Sequence, residues 1–540
     1  MRYCKTVFIL ILLFVLAGWI LIEAKEHPPN LADDPQKALA FWDEVISLDT
    51  QNAEAFNERG KAYRKMGKYQ RAIEDYTKAI DLDAQYAEAY YNRGLAHKQL
   101  ERYQEALEDY STAIQLDPTD GHGFRQRGVV FKKLGLYERA IEDYDRAIQL
   151  MPDYAKTYNN RGVAYKKLGK FKLAISDYSE AIRLEPNVPL YFNNRGVAWK
   201  NLRRYRLALD DYDRAIGLNP HNSWFFSNRG NVYSKLGRND RAIEDYNHAI
   251  DLNPKDERTY NNRGIAYKSL GKYQKAIDDY NRAITINSKD AVAFYNRGIA
   301  YKNLDDFQNA LKDFFKAIQL DPNNSGFYRN RGLVYKKLED YHRAIEDYDR
   351  AIGLKPDYAL AYHNRSTAHK KLGEYQKALK DSNRAIELDP SNEWYYNGRG
   401  LAYKNLDNPR RAVEDFSQAI RINKDVAEFY INRGNVYKNF GQFQMALNDF
   451  SRAIDLEPEN PRTYNSRGII FRNLGRPDKA MGDFNHAIRH DPLYADAYIS
   501  RGIGNITEGN YEQACADFEK ACKLGDCSYV KWARENGDCR

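Results

Sequence analysis

Long apolar runs, cysteine and catalytic signatures are all scarce in these 540 residues. Only one long apolar run exists, residues 7–22, which excludes a polytopic membrane protein. Neither sign of charge dominates: 83 Lys and Arg against 75 Asp and Glu leave a net charge of +8, with no basic block of the kind that a nucleic-acid binder concentrates. A phosphate-binding glycine loop, an H-E-x-x-H pair and a G-x-S-x-G elbow are all missing. The ten His residues do not converge on a nucleophile or a carboxylate pair. Enzyme chemistry, a cofactor and a metal are therefore not expected. What is plentiful is tyrosine, 43 residues of it, and 13% aromatic content argues against disorder even at a mean hydropathy of −0.77.

The apolar run is preceded by Arg2 and Lys5 and followed by Glu23, Lys25 and Glu26. Sixteen residues are slightly long for a signal-peptide core and short for a spanning helix, so residues 1–24 read as a cleaved signal or as a single membrane anchor. No Cys follows the run, which argues against a bacterial lipoprotein. The basic flank is N-terminal, so the body of the chain is expected outside the cytoplasm, whether periplasmic, secreted or anchored. Residues 25–33 read as a linker.

The rest is one unit repeated. Arg-Gly dipeptides recur every 34 residues from Arg59-Gly60 to Arg501-Gly502, and only Ser366 breaks the pair. With Gly60 at position eight, fourteen copies fill residues 53–528 without an insertion. Each copy reads as two helices. In the fourth, Tyr158, Gly162 and Tyr165 share one face, and Ala174, Tyr178, Ala181 and Ile182 share another, with Gly169 as the stop between them. An aromatic stands at position four. Position eleven is also aromatic in most copies, with His97 and His369 in that slot as packing residues. Ala fills positions twenty and twenty-seven in all fourteen copies, and Pro fills position thirty-two in ten. This pattern resembles the tetratricopeptide repeat family. The resemblance covers nearly the whole chain and implies an all-α fold, a right-handed superhelical solenoid of antiparallel helix pairs. The chief departure is Arg at position seven, where the family usually carries Leu.

That Arg is matched by Asp at position twenty-three in every copy, Asp75 through Asp517. A ligand site would not recur unchanged fourteen times, so the two are expected to form a structural ion pair, within a copy or between neighbours. The pairs Lys132-Lys133, Lys166-Lys167 and Lys336-Lys337 read as solvated faces balanced by acidic second helices. Solenoids need caps. Residues 34–52 read as a half repeat, with Asp34 as N-cap, Pro35 as first helical residue and Ala38, Trp42, Val45 and Ile46 in register with a second helix. Residues 529–540 read as a C-terminal capping helix, with Trp532 packing inward. Cys515 and Cys522 are seven residues apart on one helix, too far to bond each other. An antiparallel cap helix would set Cys527 beside Cys522, a pairing that also resembles the helix-linking cysteines of Sel1-like repeats, and Cys539 beside Cys515. Disulfides, free buried thiols and a zinc site are the alternatives, and an even count behind a secretory signal favours disulfides.

The tenth copy departs most from the pattern: Ser366 replaces Gly, His369 the usual Tyr and Ser382 the usual aromatic. A soft joint is expected there. Position six is Asn in seven consecutive copies, Asn160, Asn194, Asn228, Asn262, Asn296, Asn330 and Asn364. The row is similar to the asparagine ladder on the concave face of O-linked N-acetylglucosamine transferases, which implies amides holding an extended peptide by its backbone. The alternative is that these amides bridge adjacent helices. Trp224 and Trp394, both at position two, are candidate anchors. The functional reading is an extracytoplasmic scaffold binding a protein or peptide. An envelope or polysaccharide assembly factor, organising a membrane complex, is the second.

Overall fold

The computed structural model describes residues 34–537 and residue 539. The signal or anchor at 1–24 and the linker lie outside them. Among the described residues there are thirty α-helices and no strand. None of these helices is long and apolar enough to cross a membrane. The chain divides into two compact units, Met1–Leu270 and Gly271–Arg540.

One copy explains the rest. In the fourth, a 13-residue helix, Ala155–Lys167, is followed by a 14-residue helix, Phe171–Leu184. The turn between them closes with Lys170 N–H donating to the Tyr165 carbonyl at 2.9 Å, which requires a left-handed residue at position fifteen. Gly169 supplies it with φ +73°. Five copies hold the same turn without glycine, at Glu101, Arg203, Asp305, Glu339 and Asp407, with φ between 53° and 61°. The shape of the turn is thus imposed by the packing of the helices it joins, against a local cost of about 1–2 kcal/mol. Many first helices begin at a side-chain cap on the last residue of the preceding copy. Asp120 accepts from His122 and Gly123, and Asn222 accepts from Trp224.

The two helices of a copy meet through a notch. Tyr178 is fully buried with its ring edge against Gly162, where a Cβ would lie 2.8 Å from the ring. Gly60 and Tyr76, or Gly502 and Phe518, repeat the contact. Both invariant alanines of each copy are also buried, which lets the paired helices approach closely around the ring. Within each unit, successive first helices touch one another, as Gly121–Lys133 touches Ala155–Lys167, whereas successive second helices do not. The first helices therefore line an inner face.

Before the first copy, Pro35–Leu48 buries Ala38, Trp42, Val45 and Ile46 and takes the place of a second helix. After the last, Ser528–Glu535 lies against Ala514 and Phe518 through Val530 and Ala533. Trp532 does not pack inward. It is 43% exposed, because the helix turns its 530 and 533 positions to the array and leaves 532 to one side. Cys515 is bonded to Cys539 and Cys522 to Cys527, with Cα separations of 5.6 and 4.0 Å.

Candidate functional site

The position-seven arginines are structural throughout. Arg161 donates to both oxygens of Asp177 in its own copy, at 2.6 and 3.0 Å, and its remaining terminal nitrogen reaches back to Asp145 of the preceding copy at 2.6 Å. The backward partner varies with position twenty-five: Asp43 for Arg59, Thr77 for Arg93, Ser179 for Arg195, Asn383 for Arg399. Arg331 instead lies 4.3 Å over the Phe315 ring. Each guanidinium also sits over the position-four aromatic, as Arg161 over Tyr158 at 5.7 Å. The Asp residues are buried, and burial leaves Asp177 above the usual carboxylate range against the pull of Arg161. The backward bond is the part that the fixed Arg–Asp offset did not reveal.

The inner face carries two rows of polar groups, and a third, buried row stands behind them on the second helices. The first is the position-six amides. Asn194 and Asn228 donate at 2.9 Å to the position-five Asn159 and Asn193 of the preceding copy. Asn330 donates to the Tyr295 hydroxyl at 2.8 Å and to the Gly326 carbonyl. Asn160 accepts from Lys132 at 2.8 Å. Bridging is thus one use of this row. It leaves Asn194 and Asn228 a second N–H and the carbonyl oxygen, and leaves Asn330 its carbonyl oxygen. Asn296 is buried, Asn262 lines a cavity, and Asn364 is buried with its amide nitrogen unpartnered. Sequence reasoning missed the position-five partners, although Asn159 and Asn193 stand directly before the row.

The second row is the lysines at position twelve. In each Lys-Lys pair the first member is half-buried on the inner face and the second is exposed, as with Lys132 and Lys133, or Lys166 and Lys167. The pairs are therefore not uniformly solvated faces. Burial, helped by neighbouring cations, pushes Lys98 and Lys132 down to about 8. The third row is the phenols at position twenty-four. Tyr110, Tyr144, Tyr178 and Tyr212 are fully buried and their hydroxyls have no partner among the described residues. Burial pushes them up, so they stay neutral. In the sixth copy Tyr246 donates to Asn231 at 2.9 Å. There a cavity of about 660 Å³ is lined by Lys200, Ser234, Lys235, Tyr246 and Asn262. Trp224 is 58% exposed and Trp394 40%, the latter with its ring 5.1 Å from Phe429.

The tenth copy is repaired rather than empty. The Ser366 hydroxyl donates to the Ala378 carbonyl at 2.9 Å and lies 2.8 Å from the Ser382 hydroxyl, where other copies hold a glycine and a ring. His369 is 2.6 Å from a Glu374 oxygen, so it is more than a packing residue. Beside them, burial and the nearby Lys370 and Lys336 hold His363 down at about 4.

Tetratricopeptide repeat models match residues 87–120, 155–188, 189–222, 257–290, 291–324, 327–358 and 427–460, and a second such model matches 395–426. A TPR repeat model matches 60–101, 128–169, 230–271 and 367–407. The chain belongs to the tetratricopeptide repeat family. As a tetratricopeptide repeat array it is a scaffold for protein or peptide interaction. Similar solved structures include a chain of the APC/C hetero-tetramer Cut9–Hcn1, 17% identical over 88% of this chain and 94% of that one, with a TM-score of 0.45. Yeast Tom70 is 19% identical over 84% and 95%, with a TM-score of 0.34. YrrB, a TPR protein with an unusual peptide-binding site, is 24% identical over 36% and 99%, with a TM-score of 0.31. No curated protein matches at a significant level.

Proposed function

We propose that this tetratricopeptide repeat array works outside the cytoplasm and holds an extended peptide or a partner protein along its inner face. The observation that carries the binding role is Trp224. A large ring 58% exposed on a polar array is the residue type that dominates binding energy once a partner covers it. Trp394 is the second anchor. The position-six amides Asn160, Asn194, Asn228, Asn262, Asn296, Asn330 and Asn364 contact the ligand's backbone with whatever N–H and carbonyl capacity bridging leaves. Bridging fixes the rotamers of Asn160, Asn194, Asn228 and Asn330 before binding, so less side-chain entropy is lost when the ligand arrives. The extracytoplasmic setting is supported by the two disulfides and by the signal-like segment at 1–24.

The test is to fractionate the native cells, crosslink, and identify the partner by mass spectrometry. Affinity for that partner is then measured for Trp224→Ala and Trp394→Ala. Trp224 is the more exposed ring, so melting of Trp224→Ala should not change, while its binding should weaken about thirtyfold, about 2 kcal/mol. Unchanged affinity in both variants would remove the anchors from the reading. Recovery of the protein in the cytoplasm would remove the location.

A further inference from the structure

We propose that the inner face of copies two to five binds an acidic polypeptide segment in an extended, polyproline-II-like form, with a carboxylate at every third residue. This rests on the scaffold reading above and names the class of ligand.

The charge on this face is one-sided. From the second copy to the sixth, inner positions two, five, six, nine and twelve hold six Lys or Arg against the single Glu88. Glu88 is already taken, because it pairs with Lys61 at 2.5 Å. Beyond it stand Lys98, Lys132, Lys166 and Lys200 in four consecutive copies, and none forms an ion pair among the described residues. The charged groups that bear on them are cations: Arg64 and Arg125 on Lys98, Lys133 and Lys166 on Lys132, Lys167 and Lys200 on Lys166, Lys235 on Lys200. Folding thus gathers half-buried ammonium groups beside one another with no anion to offset them. In the second unit the row is Lys302, Lys336, Lys370, Lys404 and Lys438, with Glu428 beside Lys370.

Two further groups stand with the ammoniums. Lys98 and Lys132 each give one of their three N–H bonds to the position-six amide of the next copy, at 2.7 and 2.8 Å, which holds the ammonium over the face. In the sixth copy the Tyr246 ring lines the same cavity as Lys200.

Spacing selects the ligand. Successive first helices touch, so the ammonium row advances by about 8–10 Å per copy. A polyproline II strand returns to the same face every three residues, about 9.3 Å. Four lysines therefore match about four carboxylates over roughly ten residues.

The full chain is titrated with fluorescein-labelled (Glu-Pro-Pro)4 and (Gln-Pro-Pro)4 at low and at physiological salt. The Glu peptide should bind at least tenfold more tightly, with the difference shrinking as salt rises. Lys132→Gln with Lys166→Gln should weaken it by about tenfold per lysine. The exposed pair Lys133→Gln with Lys167→Gln should weaken it less than about threefold. Melting should hold or rise in the inner variant, since like-charged, half-buried groups are removed. Equal binding of the two peptides overturns the acidic preference and leaves the scaffold reading standing. Equal loss in the inner and outer variants overturns the site. Displacement of the Glu peptide by heparin or single-stranded RNA at lower charge equivalents overturns the peptide assignment. Failure of both peptides overturns this proposal, while the crosslinking experiment judges the scaffold separately.

Discussion

One guanidinium at position seven does three jobs: it ties the second helix of its own copy, reaches the copy before, and covers an aromatic ring. Arg161 does all three through Asp177, Asp145 and Tyr158. The Asp is the vulnerable partner, since it is only 4% exposed. Arg161→Ala should cost about 3–5 kcal/mol locally, because it leaves a buried carboxylate without its cation. Replacing both, as Arg161→Leu with Asp177→Leu, should recover most of that loss, because the family's usual residue at position seven is itself Leu and apolar packing needs no charge partner. Hydrogen exchange of Ala155–Lys167 and Phe171–Leu184 reads the difference. A double variant as unstable as the single would mean that the backward bond to Asp145, not the buried pair, carries the stability.

At the scale of the helix pair, the notch between Gly and the position-twenty-four ring sets what each copy tolerates. The tenth copy changed both sides of the notch, and the two serines now bond each other. Ser382→Tyr alone should lose about 1–3 kcal/mol, since the ring would meet the Ser366 side chain. Ser366→Gly with Ser382→Tyr rebuilds the notch and should gain on the order of 1–3 kcal/mol from the buried ring. Slower exchange in Ala359–Lys371 and Tyr375–Leu388 of the double variant checks this, and faster exchange would show that the serine cluster outperforms the ring. The helix pairs themselves were legible from the 34-residue period, because Gly, Ala and Tyr at fixed offsets leave one way to pack. The Arg–Asp pairing was legible for the same reason. What one copy brings to the next was not. The amides bond residues 35 apart, one copy plus one, and Lys132, the more buried lysine of its pair, reaches Asn160 of the next copy. A helical period assigns a face, and it does not say what stands opposite.

For the molecule as a whole, stability is a sum of copies and their contacts, so the ends are the weak places. The two ends are covered differently. Pro35–Leu48 is 14 residues long, buries Trp42 and Val45 and pairs Asp43 with Arg59, so non-covalent contacts hold it. Ser528–Glu535 has eight residues and buries only Val530 and Ala533. A helix that short is marginal by itself. Its hold on the array is covalent: Cys522–Cys527 fixes the turn before it, and Cys515–Cys539 pins the chain after it to the last second helix, closing 24 residues. Closing a loop of that length is worth about 3 kcal/mol, more than the two small buried side chains supply. Reduction, or Cys515→Ser with Cys539→Ser, should therefore free Ser528–Glu535 and expose Phe518, which that helix covers together with Tyr529. Loosening should pass to Tyr511–Lys523 and fade within a copy, because each copy contacts only its neighbours. Hydrogen exchange with and without reductant should show faster exchange from about residue 511 onward and no change before the thirteenth copy. A uniform loss of protection along the array would mean that the copies unfold as one cooperative body and that the cap guards all of them.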